Sequence, residues 1–229
     1  MDLIKLESKI GVVFRTKDLL EQALVHRSYL NENPHFHLSH NERLEFLGDA
    51  VLELAVTEGL FVKFPEKPEG ELTSLRAALV NSKMLAEVAQ ALGLNDHLLL
   101  SRGEAKDVGR ARQFILANTY EAVTGAIYLD QGYNIAKDFI IRTVMPRLES
   151  VLSGKLYKDP KSLFQEEAQE RVGITPVYEV LREWGPDHDK HFVVGIYLGR
   201  DLVAEGEGPS KQVAQEEAAK NGLLARGWG

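Results

Sequence analysis

The chain has no cysteine. That absence excludes disulfides, thiolate zinc sites and cysteine nucleophiles, and leaves carboxylates and seven histidines as candidate metal ligands and acid/base groups. It fits a reducing compartment, so a cytoplasmic location is expected. Long apolar runs are missing as well: nothing approaches the roughly 18 residues that mark a membrane-spanning helix. Residues 1–14 mix acids and bases without the apolar centre of a signal peptide. A soluble, unexported protein with no membrane partner is the expectation. A basic excess is also absent, with 27 Lys and Arg against 34 Asp and Glu and a formal charge of −7. By composition alone this argues against nucleic-acid binding, because neutralising phosphates normally takes a basic footprint.

What is present is 229 residues at 44% hydrophobic content, enough for one large packed domain or two modest ones. Apolar residues recur at three- and four-residue spacing over 17–30, 41–64, 72–92, 112–129 and 135–152. The spacing predicts an all-α first domain over 1–152. Pro65, Pro68 and Gly70 break the second run, Gly93 caps the third, and the polar stretch 101–109 reads as a loop. Residues 153–159 shift to Gly, Lys and Asp and read as a linker. Over 160–229 the order becomes helix (161–172), three strands (177–184, 192–198, 202–206) and a final helix (210–225). Gly185-Pro186-Asp187 and Gly199-Arg200-Asp201 supply the hairpin turns of this α-β-β-β-α, α+β domain.

Two helical stretches carry acids that need a reason. In Asn41-Glu42-Arg43-Leu44-Glu45-Phe46-Leu47-Gly48-Asp49, residues Glu42, Glu45 and Asp49 stand three and four apart and share a face of a helix read as largely buried. Glu42 also has a structural reading, since Ser39-x-x-Glu42 has the form of a capping box. Asp49 lies mid-helix, where Asp is a poor former; its structural alternative is a buried partner for Arg43 or Arg76. In the second stretch, 116–130, Asn118 and Glu121 share a face. Two helices presenting oxygen ligands toward each other suit Mg²⁺ with retained waters, and phosphodiester hydrolysis is the chemistry such sites commonly serve.

The stretch Asn41 to Asp49 resembles the signature of the ribonuclease III family. Further blocks match: Ala23-Leu24-Val25-His26-Arg27-Ser28-Tyr29, Glu69-Gly70-Glu71-Leu72-Thr73-Ser74-Leu75-Arg76, and Glu121-Ala122-Val123-Thr124-Gly125-Ala126-Ile127-Tyr128-Leu129-Asp130. The resemblance implies that Glu45, Asp49, Asn118 and Glu121 occupy metal-ligand positions, with Asp49 and Glu121 catalytic. It implies that Glu42 and Glu69 are auxiliary acids near the RNA, and that Phe46 packs across a homodimer interface. One departure stands out: the family usually has Asp where this chain has Asn118, whose amide can ligate but brings no charge. The last 70 residues resemble a double-stranded RNA-binding domain. Gln165, Glu166 and Gln169 match positions at a minor groove, His188 matches the hairpin loop entering the next one, and Lys211 and Gln212 match phosphate-contacting positions at a helix N-terminus. Gln212 stands where a second basic residue is common.

The function so implied is a Mg²⁺-dependent endoribonuclease, with Mn²⁺ as a possible substitute, that cuts double-stranded RNA as a homodimer. It implies 5′-phosphate and 3′-hydroxyl ends with short 3′ overhangs, and processing of ribosomal RNA precursors and other structured transcripts. The rival reading is a double-stranded RNA-binding protein that cuts weakly or not at all because of Asn118. A helical scaffold with structural carboxylates is a third. Read singly, Gln165 and Gln169 are a solvated helix face and His188 a turn histidine. His35, His37 and His40 read as a surface loop rather than a metal site, His26 as a core or interface imidazole, and Trp184 and Trp228 as packing residues.

Overall fold

The computed structural model describes residues 2–154, 157, 159–186 and 189–228. Its contacts divide the chain into two units, Met1–Val151 and Leu152–Gly229.

The first unit is helical. It runs through α1 (Leu3–Ile10), α2 (Lys17–Ala23), α3 (Arg27–Glu32), α4 (Glu42–Lys63), α5 (Glu69–Val80), α6 (Ser82–Ala91), α7 (Arg110–Gln131), α8 (Tyr133–Thr143) and α9 (Leu148–Ser153). At its centre is α7, where nearly every residue from Ile115 to Ile127 is buried, the mark of a helix surrounded by others. Against it lies α4, burying Leu44, Gly48, Val51, Leu52, Ala55, Val56 and Leu60. Small residues let the two backbones meet. A Cβ on Gly48 would overlap the Glu121 carbonyl, and one on Gly125 would overlap the Leu44 carbonyl. Leu20, Leu75, Leu79, Leu85 and Phe139 complete the packing around this pair.

Three helices that periodicity reads as continuous are divided, each for an identifiable reason. The 17–30 run stops after Ala23 because tertiary partners claim the next backbone groups. Leu99 N–H donates to Leu24 O at 2.9 Å, His26 N–H donates to Leu99 O at 3.0 Å, and Asn41 N–H donates to Val25 O at 2.9 Å. The 72–92 run divides at Asn81, whose Oδ1 accepts from Met84 N–H at 3.0 Å while its Nδ2 donates back to Ala78 O at 2.8 Å. One side chain thus closes α5 and opens α6. The 135–152 run breaks at Pro146, in a 3-10 turn at Met145–Arg147 between α8 and α9. The 101–109 stretch contains a short 3-10 turn, Glu104–Lys106.

The second unit has α10 (Pro160–Val172), then β1 (Val177–Trp184), β2 (His191–Leu198) and β3 (Asp201–Gly208), then α11 (Lys211–Arg226). The strands form one antiparallel sheet in the order β1-β2-β3. Both helices pack on one face of it, around Phe164, Ala168, Ile196, Leu198, Ala218, Ala219 and Leu223. Trp228 closes this core with its ring centroid 5.2 Å from that of Phe164. Trp184 departs from the packing reading: it is 45% exposed and stacks on His191 at 5.6 Å. Among the described residues no helix is long and apolar enough to cross a membrane.

Candidate active site and RNA-binding surface

The close approach of α4 and α7 at Gly48 and Gly125 brings Glu45, Asp49, Asn118 and Glu121 into one group. Each side chain has an environment that its neighbours set. Burial, then the charges of Asp49 and Glu45, push the Glu121 carboxyl up to about 8. Burial also raises Glu45, followed by the charge of Glu42; a hydrogen bond from the Asn118 side chain pulls the other way, and Asp49 adds a further rise. A set in which neighbouring carboxylates raise Glu45 and Glu121 is one that a divalent cation relieves, and its hard oxygen ligands fit Mg²⁺. The Asn118 amide donates toward Glu45.

Several sequence readings change here. Asp49 is exposed rather than buried, because α4 buries only one side. Among the described residues Asp49 forms no ion pair, and Arg76 donates to Thr57 Oγ1 at 3.1 Å instead. The capping-box reading of Glu42 fails. The N-cap of α4 is Asn41, with no side-chain cap bond, and its Nδ2 donates to Ala23 O at 3.1 Å. Glu42 faces Arg27 at 3.6 Å and His40 at 3.7 Å. Glu69 opens α5, exposed, and accepts from Thr73 Oγ1 at 3.1 Å. Its charge is not among those that raise Glu45 or Glu121.

His26 is not inside a helix: it caps α3, its Nδ1 lying 2.8 Å from Ser28 Oγ and accepting from Ser28 N–H at 3.3 Å. The three loop histidines do not converge. His37 instead joins Asp18 and Glu21, with ligand atoms of the three all within 4.8 Å of one another. Sequence spacing did not single out those two acids, because the 33–40 loop folds back onto α2 only in three dimensions. Phe46 projects from α4 with 82% of its surface exposed, beside a hollow of about 650 Å³ whose apolar lining is Leu19, Leu44, Leu47 and Leu129.

On the second unit, Gln165, Glu166 and Gln169 lie exposed on α10, while the intervening Glu167 turns inward to pair with Arg171 at 2.6 Å. Lys211 and Gln212 open α11 behind the Ser210 cap, whose Oγ accepts from Val213 N–H at 3.2 Å. His188 lies outside the described residues.

A helical unit with an acidic cluster, followed by an α-β-β-β-α unit with a polar helix face and a lysine at a helix start, defines a nuclease domain joined to an RNA-binding domain. Comparison with known proteins agrees. Residues 16–148 match the Ribonuclease-III-like family and residues 160–225 the double-stranded RNA binding motif. The chain is 42% identical over 220 residues to Ribonuclease 3 of Enterococcus faecalis, covering 96% of this chain and 95% of that protein. It is 44% identical over 222 residues to Ribonuclease 3 of Pelotomaculum thermopropionicum, covering 97% and 92%. Among solved structures it is similar to the nuclease domain of ribonuclease III from Campylobacter jejuni. That match has a TM-score of 0.58 at 43% identity and covers 63% of this chain and 97% of that one. The chain belongs to the ribonuclease III family, and a metal requirement comes with that membership.

Proposed function

We propose that the chain is a Mg²⁺-dependent endoribonuclease that cuts both strands of duplex RNA as a symmetric dimer in the cytoplasm. The observation that carries this is the convergence of Glu45, Asp49 and Glu121 across α4 and α7, in a chain that also holds a double-stranded RNA-binding fold. Glu45, Asp49, Glu121 and the Asn118 carbonyl would hold Mg²⁺, or Mn²⁺ in its place, directly or through water. Such an ion, when bound, supplies Lewis acidity at the scissile phosphodiester. Asp49 and Glu121 are the catalytic pair of this reading. Asn118 orients Glu45, and Glu42 and Glu69 act as outlying acids near the RNA path.

The second unit supplies attraction that the acidic cluster lacks, reading duplex shape through Gln165, Glu166 and Gln169, the His188 hairpin and the Lys211-Gln212 helix start. Its boundaries in this reading are 160–229, with 153–159 as linker and 1–152 as the catalytic domain. Phe46 of one protomer fills the hollow beside Phe46 of the other, an isologous contact of the kind two-fold symmetry requires. The similar nuclease domain from Campylobacter jejuni has a structurally flexible region involved in dimer formation. Products would carry 5′-phosphates, 3′-hydroxyls and short 3′ overhangs, and precursors of ribosomal RNA and structured messages are the proposed substrates.

The test is an end-labelled RNA duplex incubated with and without Mg²⁺, alongside Glu121→Gln. The expected result is cutting only with Mg²⁺ and only by the parent, while the variant still folds and binds the duplex. Binding by the parent without cutting at any Mg²⁺ concentration would establish the rival binding-protein reading.

A further inference from the structure

In the second unit, packing of α11 on the sheet brings the Lys211 ammonium to the same aromatic ring as that of Lys190. Phe192, near the start of β2, is 8% exposed and packs with Val194 and Ala214. Lys211, the first residue of α11, places its Nζ 5.7 Å from the Phe192 ring centroid. Lys190, immediately before β2, places its Nζ 5.8 Å from the same centroid. Both distances lie within the range at which a ring face attracts a cation.

The two lysines have little else to hold them. Lys211 stands in the first turn of a helix, where the macrodipole disfavours positive charge, and it forms no ion pair among the described residues. Among the described residues Lys190 has one ion-pair partner, Glu183 at 3.5 Å, with both side chains at least one-third exposed. Such a pair contributes about 0–1 kcal/mol and is easily exchanged for a stronger anion. Gln212 adds no charge and is itself engaged, its Nε2 donating to Glu216 Oε1 at 3.1 Å.

We propose that Lys190 and Lys211, seated on the Phe192 ring, form a two-cation site for phosphates of one stretch of duplex RNA, with Lys190 supplying the charge that Gln212 lacks. The inference rests on the RNA-binding reading of the second unit. Two ammonium groups that share one ring centroid at these distances are at most about 12 Å apart, a span that phosphates of one stretch of duplex backbone cover. The attraction of the ring restrains both ammonium groups, so less side-chain freedom is lost when a phosphate arrives. It also ties the end of the β1–β2 hairpin to the start of α11.

The full-length protein is tested in EDTA against two duplexes of unrelated sequence, with affinity measured across 50 to 200 mM salt, the span over which phosphate contacts respond strongly. Lys190→Met keeps an unbranched apolar side chain and removes the charge. It should weaken binding about five- to tenfold near 0.1 M salt for both duplexes and reduce the salt slope by about one, as Lys211→Met should. Lys190→Arg should bind like the parent, and Gln212→Lys added to Lys190→Met should restore the slope. If Lys211→Met lowers the slope and Lys190→Met does not, the two-cation site is wrong while the RNA-binding reading stands. If neither changes it, the RNA-binding reading of this surface falls as well. Thermal unfolding of Lys190→Met should match the parent, and an affinity loss that Gln212→Lys fails to repair would assign Lys190 a structural role instead.

Discussion

Gly48 of α4 lies directly against the backbone carbonyl of Glu121 in α7, so close that any Cβ at position 48 would overlap that oxygen. The side chain of Glu121 and the acids one position after and three before Gly48 are therefore held together by a backbone contact, not by their own attraction. Gly48→Ala should force the two helices apart and destabilise the protein by about 1–3 kcal/mol, the usual cost of overpacking. Urea unfolding measures this. Because the shift falls between the acidic side chains, Mg²⁺ should also stabilise the variant less than the parent. An unchanged midpoint and an unchanged Mg²⁺ response would show that the helices have slack here.

The raised Glu121 carboxyl makes metal-free stability depend on pH. Burial, Asp49 and Glu45 lift it from 4.5 to about 8, so the folded state holds this proton more tightly than the unfolded state. Its stabilising effect is complete below pH 4.5 and is lost as pH rises through about 8. His26 and His97, both lowered mainly by burial, act in the opposite direction as they deprotonate. The comparison must therefore be made against Glu121→Gln. In EDTA the parent should lose melting temperature relative to that variant between pH 5 and pH 8, a window set by those two values. Mg²⁺ competes with the proton, so its stabilising effect on the parent should grow over the same window. Parallel melting curves for the two proteins across this range would contradict the placement of Glu121.

Asn118→Asp replaces a donor to Glu45 with a fourth carboxylate. Without metal the added repulsion should lower the melting temperature. With metal, the Coulomb gain less desolvation and the lost donor should leave about 1 kcal/mol, or about fivefold in Mg²⁺ affinity. Calorimetric Mg²⁺ titration and the Mg²⁺ midpoint of single-turnover cleavage read this out independently. An unchanged or higher midpoint would mean that the bond from Asn118 to Glu45 matters more than the missing charge, and that the site is adapted to asparagine.

Phe46→Ala should dissociate the dimer while leaving the protomer folded, because an 82% exposed side chain contributes little to its own core. Burying two such rings across a two-fold axis is worth about 1.5–3 kcal/mol each, so the dissociation constant should rise by about a hundredfold or more. Sedimentation velocity at several concentrations measures it. A variant that sediments as the parent does at every concentration would place the interface elsewhere.

Local pattern determined much of this protein. The three- and four-residue spacing marks the long helices α4 and α7, and strand-favouring residues bounded by glycine-bearing turns mark β1 over the residues it occupies. The signature around Glu45 and Asp49 is legible because its acids interrupt an apolar helix. The tertiary structure decided what depends on residues far apart in the chain. Leu99 ends α2 by taking the backbone bonds of Leu24 and His26, a competition that periodicity cannot register. Asn118 meets Glu45, and His37 meets Asp18 and Glu21, only after the helices pack. Lys211 reaches the Phe192 ring that Lys190 adjoins in sequence only when α11 packs against the sheet. Periodicity reports which face of an element is apolar, whereas a site depends on which elements cross and how closely, and that is set by non-local contacts such as the one between Gly48 and Glu121.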